Sequence, residues 1–331
     1  MPWKILARIA VAVAILTGSQ SGLQAQGAYP PTAEAFAASE QAQRHVAAAM
    51  ALAGSDLVNQ AKAFCTNTGP RRDALVRRDA GLPPIEDYVV EPVRVFENLY
   101  FIGFNDVGAW AIDTSDGLIL IDTLNTPDEA RDVLVPGLVK MGLDPAQIKY
   151  VVIGHGHNDH VGGASYLQDT YGARILISGP DWDLALSGER PDRPRPRRDM
   201  VVTHGQKLTL GDTTLTLAVT PGHTDGPLAM FIPVKHRGQT HTAMIFSGTT
   251  MPDQEALAGF KRMFDEIARP LQTETAMGGH PGGQMNKLEV HEALRQGYPD
   301  GPHPLLIGEE PFSRYLSIML ECASARIAAI E

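Results

Sequence analysis

The chain is poor in cysteine. Only Cys65 and Cys322 occur among 331 residues, and neither stands in a metal-ligand spacing, which gives a zinc–thiolate role no support. No long basic tract offsets the net charge of −10, an argument against nucleic acid as a partner. No Gly-x-Ser-x-Gly elbow is present to suggest a serine nucleophile, and no short repeat is visible. The apolar run at residues 9–16 is too short to span a bilayer. Lys4 and Arg8 flank it, and small polar residues lead from it to Leu23-Gln24-Ala25. Residues 1–25 therefore read as an export signal with a cleavage site after Ala25, which leaves no stable membrane anchor. Without a cysteine at that site, a lipoprotein anchor is not expected either. The expected location is the periplasm. Export leaves two readings for the cysteines: a disulfide tying the N-terminal helices to the last helix, or two separate buried thiols.

What is present suits one compact unit of mixed type, with 44% apolar and 20% charged residues. Residues 26–90 read as an N-terminal helical arm. It comprises an alanine-rich helical stretch at 30–53, a second helix capped by Ser55, and an exposed linker over 66–86. Residues 91–331 form the main domain. There the pattern turns to β at 93–96, 99–102, 109–112 and 118–122, with Asn98, Asp106 and the turn at 113–117 as hairpin connections. A helix over 126–141, capped by Thr126 with Pro127 at its first position, feeds a strand at 148–153. A helix over 161–171, a strand at 175–178 and a short helix at 181–186 follow. Further strands are expected at 208–210, 214–217, 230–233 and 243–246, then a helix over 253–267. Hairpins, then a helix, then a strand is the order of a β-sandwich with helices outside. Residues 189–198 hold Arg190, Arg193, Arg195, Arg197 and Arg198 among prolines. This is either a solvated loop or a cleft edge attracting an anionic substrate.

The chemistry is concentrated at Val151-Val152-Ile153-Gly154-His155-Gly156-His157-Asn158-Asp159-His160. A buried apolar strand ends at Gly154, and residues two apart in extended chain point the same way, so His155 and His157 can grip one cation together. Asp159 and His160 are placed to reach a second. His223 follows Thr220-Pro221-Gly222, a rigid turn at a strand end. His280 sits in Gly278-Gly279-His280-Pro281-Gly282-Gly283, where glycines allow close backbone approach. Mostly imidazole with one carboxylate favours zinc over calcium, magnesium or manganese. His45, His204, His236, His241, His291 and His303 match no part of this pattern and read as structural or surface residues.

His155-x-His157-x-Asp159-His160, Thr220-Pro221-Gly222-His223-Thr224 and Gly279-His280-Pro281-Gly282 together resemble the metallo-β-lactamase superfamily, over about residues 93–283. The resemblance implies an α+β fold, the four-layer αββα sandwich. It also implies two zinc ions, the first on His155, His157 and His223 and the second on Asp159, His160 and His280. Asp159 would in addition orient a hydroxide bridging the metals, the attacking nucleophile. The diiron branch usually carries glutamate where His157 stands, which argues against iron. Thioesterases and lactonases of the superfamily usually have a metal-bridging aspartate after the glycine of Ser247-Gly248-Thr249-Thr250. Thr249 there is closer to the serine of the third subclass of true metallo-β-lactamases. The implied function is hydrolysis of a β-lactam amide, with Thr249 and Thr250 binding the substrate carboxylate. The alternatives are an exported hydrolase of lactones, thioesters or other esters, and a non-catalytic binding protein.

Overall fold

The computed structural model describes residues 29–66, 85–187, 194–281, 287–297 and 302–331. The expected signal, most of the linker after the helical arm, and Arg190 and Arg193 lie outside the described residues. Two sheets make up the β structure. The first has seven strands in chain order: β1 (Val89–Phe96), β2 (Leu99–Phe104), β3 (Gly108–Thr114), β4 (Gly117–Ile121), β5 (Ile148–Val152), β6 (Arg174–Ser178) and β7 (Met200–Val202). Its first four strands are antiparallel, and β4 to β7 run parallel through helical crossovers. The second contains β8 (Gln206–Leu210), β9 (Thr213–Val219), β10 (Leu228–His236), β11 (Gln239–Phe246) and β12 (Thr275–Met277), in the order β12-β11-β10-β9-β8.

Side-chain alternation decides which layer each residue joins. Phe101, Trp110, Ile112, Ile119, Ile121 and Val152 share one core with Leu215, Leu217, Met230 and Ile245 of the second sheet. The residues between them, among them Tyr100, Ile102, Ala109, Ala111, Leu118, Leu120 and Val151, face the opposite way into a second core. That second core is closed by three helices. The first, α4, is continuous through Pro127–Glu129, a π-helical stretch Ala130–Leu134, and Val135–Lys140; the others are α6 (Ala164–Tyr171) and α7 (Gly179–Leu186). On the far side of the second sheet lie α2 (Glu40–Ala53), α3 (Val58–Thr66), α8 (Gln254–Met263) and α10 (Glu309–Ala328); α1 (Ala33–Ala38) precedes α2, and α9 (Leu288–Arg295) precedes α10. Helices, sheet, sheet, helices is the expected α+β four-layer arrangement. Each fully buried Leu, Ile or Phe in these seams contributes about 1.5–3 kcal/mol, so the layering is held by the two apolar seams. Arm and domain share the core, since Ala49, Ala53, Leu57 and Ala61 pack with Phe312, Tyr315 and Met319. Of the two cysteine readings the structure has the disulfide, Cys65–Cys322, joining α3 to α10.

The Thr126 cap forms as expected: its hydroxyl accepts from the Glu129 N–H at 3.0 Å, and Pro127 opens the helix. The π-helical stretch inside α4 precedes Pro136, which has no N–H to donate to the preceding turn. The helix expected over 161–171 is in fact two, α5 (Asn158–Val161) and α6. Between them the Gly162 N–H donates to the Leu124 carbonyl at 3.0 Å and the Gly163 N–H to the Thr123 hydroxyl at 3.1 Å. Strands β7 and β12 were not apparent in the pattern. Each is three residues long, and each exists by pairing in parallel with a longer neighbour.

Candidate metal centre

The site lies where the strand ends of both sheets meet. From the first sheet, β5 ends in the loop bearing His155 and His157, and α5 carries Asp159 and His160. From the second, β9 leads to His223, β11 to Ser247-Gly248-Thr249-Thr250, and β12 to His280. Backbone hydrogen bonds hold the two edges together. The Leu228 N–H donates to the Gly154 carbonyl and the Gly108 N–H to the Gly279 carbonyl, both at 2.8 Å. The Trp110 indole N–H adds a third tie to the Gly278 carbonyl at 3.2 Å. Gly279 lets the chain pass close to the site: a Cβ at that position would stand 3.0 Å from both Asp122 Oδ2 and His160 Cε1, and those side chains would have to give.

All six residues singled out in the sequence converge. Ligand atoms of His155, His157 and His223 lie within 4.8 Å of one another, as do those of His155, Asp159 and His160. His280 completes the group, with its Nε2 3.4 Å from Asp159 Oδ2 and 3.2 Å from His160 Nε2. Thr249 and Thr250 line the same cleft, about 150 Å³, with Phe246, Ser247 and Gly248. Arg195 of the arginine-rich loop donates to Asn158 Oδ1 at 3.3 Å, inside the histidine motif, and to the Ala185 carbonyl at 2.9 Å. Arg197 and Arg198 instead pair with Asp169 and Asp183 on the surface.

The outer nitrogens explain how the rings are aimed. His280 Nδ1 donates to the Asp106 carbonyl at 2.6 Å, and His160 Nδ1 donates to Asp122 Oδ2 at 2.7 Å. A neutral ring that donates through Nδ1 carries a lone pair on Nε2. The two Nε2 atoms lie 3.2 Å apart, so a proton on His160 or a cation between the rings must separate their lone pairs. Charge balance agrees. Burial above all, then His160 and His223, depress His155 well below the ordinary 6.5. Burial and then His157 bring His223 to about 4. Burial also opposes charge on His160, but Asp122 and then Asp159 outweigh it and lift the ring to about 9. Burial would raise Asp159, yet His160, His280 and His157 hold it at about 2. His155 and His223 are neutral beside an ionised Asp159, and His160 joins them as a ligand once it gives up its proton, a donor set suited to zinc. A cation entering beside His160 must displace its proton, so metal affinity weakens as pH is lowered.

Three residues of the site were not foreseen. Asp122 orients His160 and also accepts the Gly154 N–H at 2.7 Å, from a backbone turned left-handed at Asp122 (φ 63°) and Leu124 (φ 65°). Its signal was an acid ending the buried run Leu118-Ile119-Leu120-Ile121. Ser247 Oγ lies 3.4 Å from His155 Nδ1. Asp181, at the start of α7, accepts from both histidine loops and had no signal in sequence.

This architecture is the α+β sandwich fold of the metallo-hydrolase superfamily, with a cluster fitting a metal site at its strand ends. Residues 102–236 match the model of the metallo-beta-lactamase superfamily, so the chain carries a domain of that superfamily. Among solved structures it is similar to BJP-1, a subclass B3 metallo-beta-lactamase of Bradyrhizobium japonicum. The TM-score is 0.57 with 27% identity, over 69% of this chain and 90% of that one. It also shares the fold of the native FEZ-1 metallo-beta-lactamase from Legionella gormanii, with TM-score 0.58 and 22% identity over 69% of this chain and 91% of that one. Among curated proteins it is 34% identical, over 126 residues, to a hydroxyacylglutathione hydrolase of Pseudomonas putida (strain W619). That match spans 38% of this chain and 40% of the relative's length.

Proposed function

We propose that the protein is an exported dizinc hydrolase that opens the β-lactam amide. His155, His157 and His223 hold one ion, and Asp159, His160 and His280 hold the other. The observation that carries this reading is the clustering of all six residues, four of them lining one cleft whose wall also bears Thr249, an uncharged hydroxyl. The likeness to BJP-1 supports the same substrate class. When bound, two zinc ions supply a nucleophile at neutral pH by lowering the pKa of water from about 16 to about 7.

The chain's own residues do the rest. Asp159, ionised at about 2, stands between His160 and His280 and orients water through its carboxylate. Asp122 and the Asp106 carbonyl keep the two imidazoles turned inward. Thr249 and Thr250 donate hydrogen bonds to the substrate carboxylate, and Phe246 gives the cleft an apolar wall. The Cys65–Cys322 disulfide supports an oxidising compartment, the periplasm, with residues 1–25 as the signal, 26–90 as the helical arm and 91–331 as the catalytic domain. Among the described residues no helix is long and apolar enough to cross a membrane.

The curated relatives favour a second reading, thioester hydrolysis. Kinetics on nitrocefin, an acyl-lactone and an acyl-glutathione thioester, each with and without a chelator, separate the two. The first reading expects chelator-sensitive turnover of nitrocefin. Turnover confined to the thioester or the lactone would reject it.

A further inference from the structure

Asp181 makes no hydrogen bond to any of the rings, yet it joins the two loops that carry three of them. Its Oδ2 accepts the Gly156 N–H at 3.0 Å and the Thr224 hydroxyl at 2.7 Å, while its Oδ1 accepts the Gly226 N–H at 3.1 Å. Gly156 separates His155 from His157, and Thr224 directly follows His223. One carboxylate, 1% exposed, therefore links the loop after β5 of the first sheet to the loop after β9 of the second. The carboxylate is itself fixed. Ser178 caps α7 by accepting the Asp181 N–H at 3.3 Å, which anchors the residue to the end of β6. The approach at Gly156 is too close for any other residue, since a Cβ there would meet the Asp181 carbonyl at 2.6 Å.

We propose that Asp181 is the positioning residue of the His155–His157–His223 triad, holding the two ligand loops at the separation one cation needs. This rests on reading the cluster as a dizinc site. All three partners are donors, and an ionised carboxylate is the side chain that accepts from every one of them. In Asp181→Asn one oxygen becomes an NH2, which must face at least one of those donors. The contact between the loops is then lost on one side while nearly the same volume stays filled. Asp159, His160 and His280 make no hydrogen bond to Asp181, which reaches His160 only through its charge, so the effect falls mainly on one ion.

The test is zinc affinity by chelator competition on the full chain, for wild type, Asp181→Asn, Thr224→Val and Thr224→Ser, with circular dichroism and thermal melts alongside. Wild type is expected to hold two zinc ions. Asp181→Asn should weaken one of the two by about 10- to 100-fold and leave the other nearly unchanged, the size typical of losing an outer partner of a metal ligand. Thr224→Val should weaken the same ion by less, and Thr224→Ser should restore it. Wild-type affinities for both ions in Asp181→Asn would overturn the inference alone, as would an equal weakening of both with a lowered melting point. If Asp181→Asn does not fold, Thr224→Val decides: one ion weakened supports the proposal, neither weakened overturns it. A wild-type chain that binds no zinc would overturn both the inference and the dizinc reading beneath it.

Discussion

Histidine occurs in two settings in this protein. At one end of the sandwich His155, His157, His160, His223 and His280 converge on one cleft. Six more lie outside that cleft. His303 lies stacked on Phe96 at 4.1 Å, donating to the Val95 carbonyl and accepting the Leu305 N–H. His45 and His241 pair with Glu321 and Glu274, and His204 binds the Val219 carbonyl. His236 lies 5.0 Å from the His303 ring. His291 is buried against Phe101 and Trp110, with no hydrogen-bond partner for either nitrogen among the described residues. Residue type is the same in both settings. What differs is whether ring nitrogens face one another across a shared gap, as in the cluster, where fixed acceptors also hold the outer nitrogens of His160 and His280. That arrangement makes a ligand set, whereas a lone imidazole in a seam is a packing group with an electrostatic cost.

The comparison is broken most directly by removing one ring from the cluster. His160→Ala is expected to lower kcat/KM by about a thousandfold, roughly 4 kcal/mol of transition-state stabilisation, and to release zinc, as steady-state kinetics and metal analysis would read. Asp122→Asn leaves every ring in place but loses the acceptor that orients His160. Zinc affinity, measured by chelator competition, should fall about 10- to 100-fold. Thr249→Ala should raise KM for penicillins about tenfold with zinc content unchanged, the loss of one hydrogen bond to a charged group. An unchanged KM would leave Thr249 a structural residue.

The smallest effect is expected in the other setting. His291→Phe removes two unpartnered nitrogens from the core and should raise stability at pH 7 by about 1 kcal/mol, read from denaturant melts. Burial, and then Arg295, depress His291 to about 4 in the fold, against 6.5 as its ordinary value. The unfolded chain therefore binds the proton more readily. Stability is fully present above pH 6.5 and is lost as pH falls through about 4. Melting points from pH 7 to 4 should fall less steeply in His291→Phe than in wild type.

How much could be read from the sequence follows the same division. His155, His157, Asp159 and His160 were legible because six residues and one strand end bring them together. The strands were legible from alternation, since Trp110 and Ile112 face one core and Ala109 and Ala111 the other. His223 and His280 could be joined to them only through resemblance. Their nearness depends on the docking of two sheets, fixed by contacts such as Leu228 to Gly154 that no local pattern encodes. Asp181 was missed for that reason too, because a carboxylate that binds backbone N–H groups across a tertiary gap looks like any other acid in sequence, whereas Asp122 was marked only by its place at the end of a buried run. The split between α5 and α6 arises at Gly162 and Gly163, where the chain packs against residues 123–124. Helical pattern alone runs through that break.

The central claim is that the five converging rings and Asp159 hold the ions that activate water. Zinc content and nitrocefin turnover of the same purified sample, before and after chelation and again after zinc is restored, test it most directly. The account predicts two zinc ions per chain, with turnover lost on stripping and recovered on reloading. Turnover that survives complete removal of bound metal would contradict it.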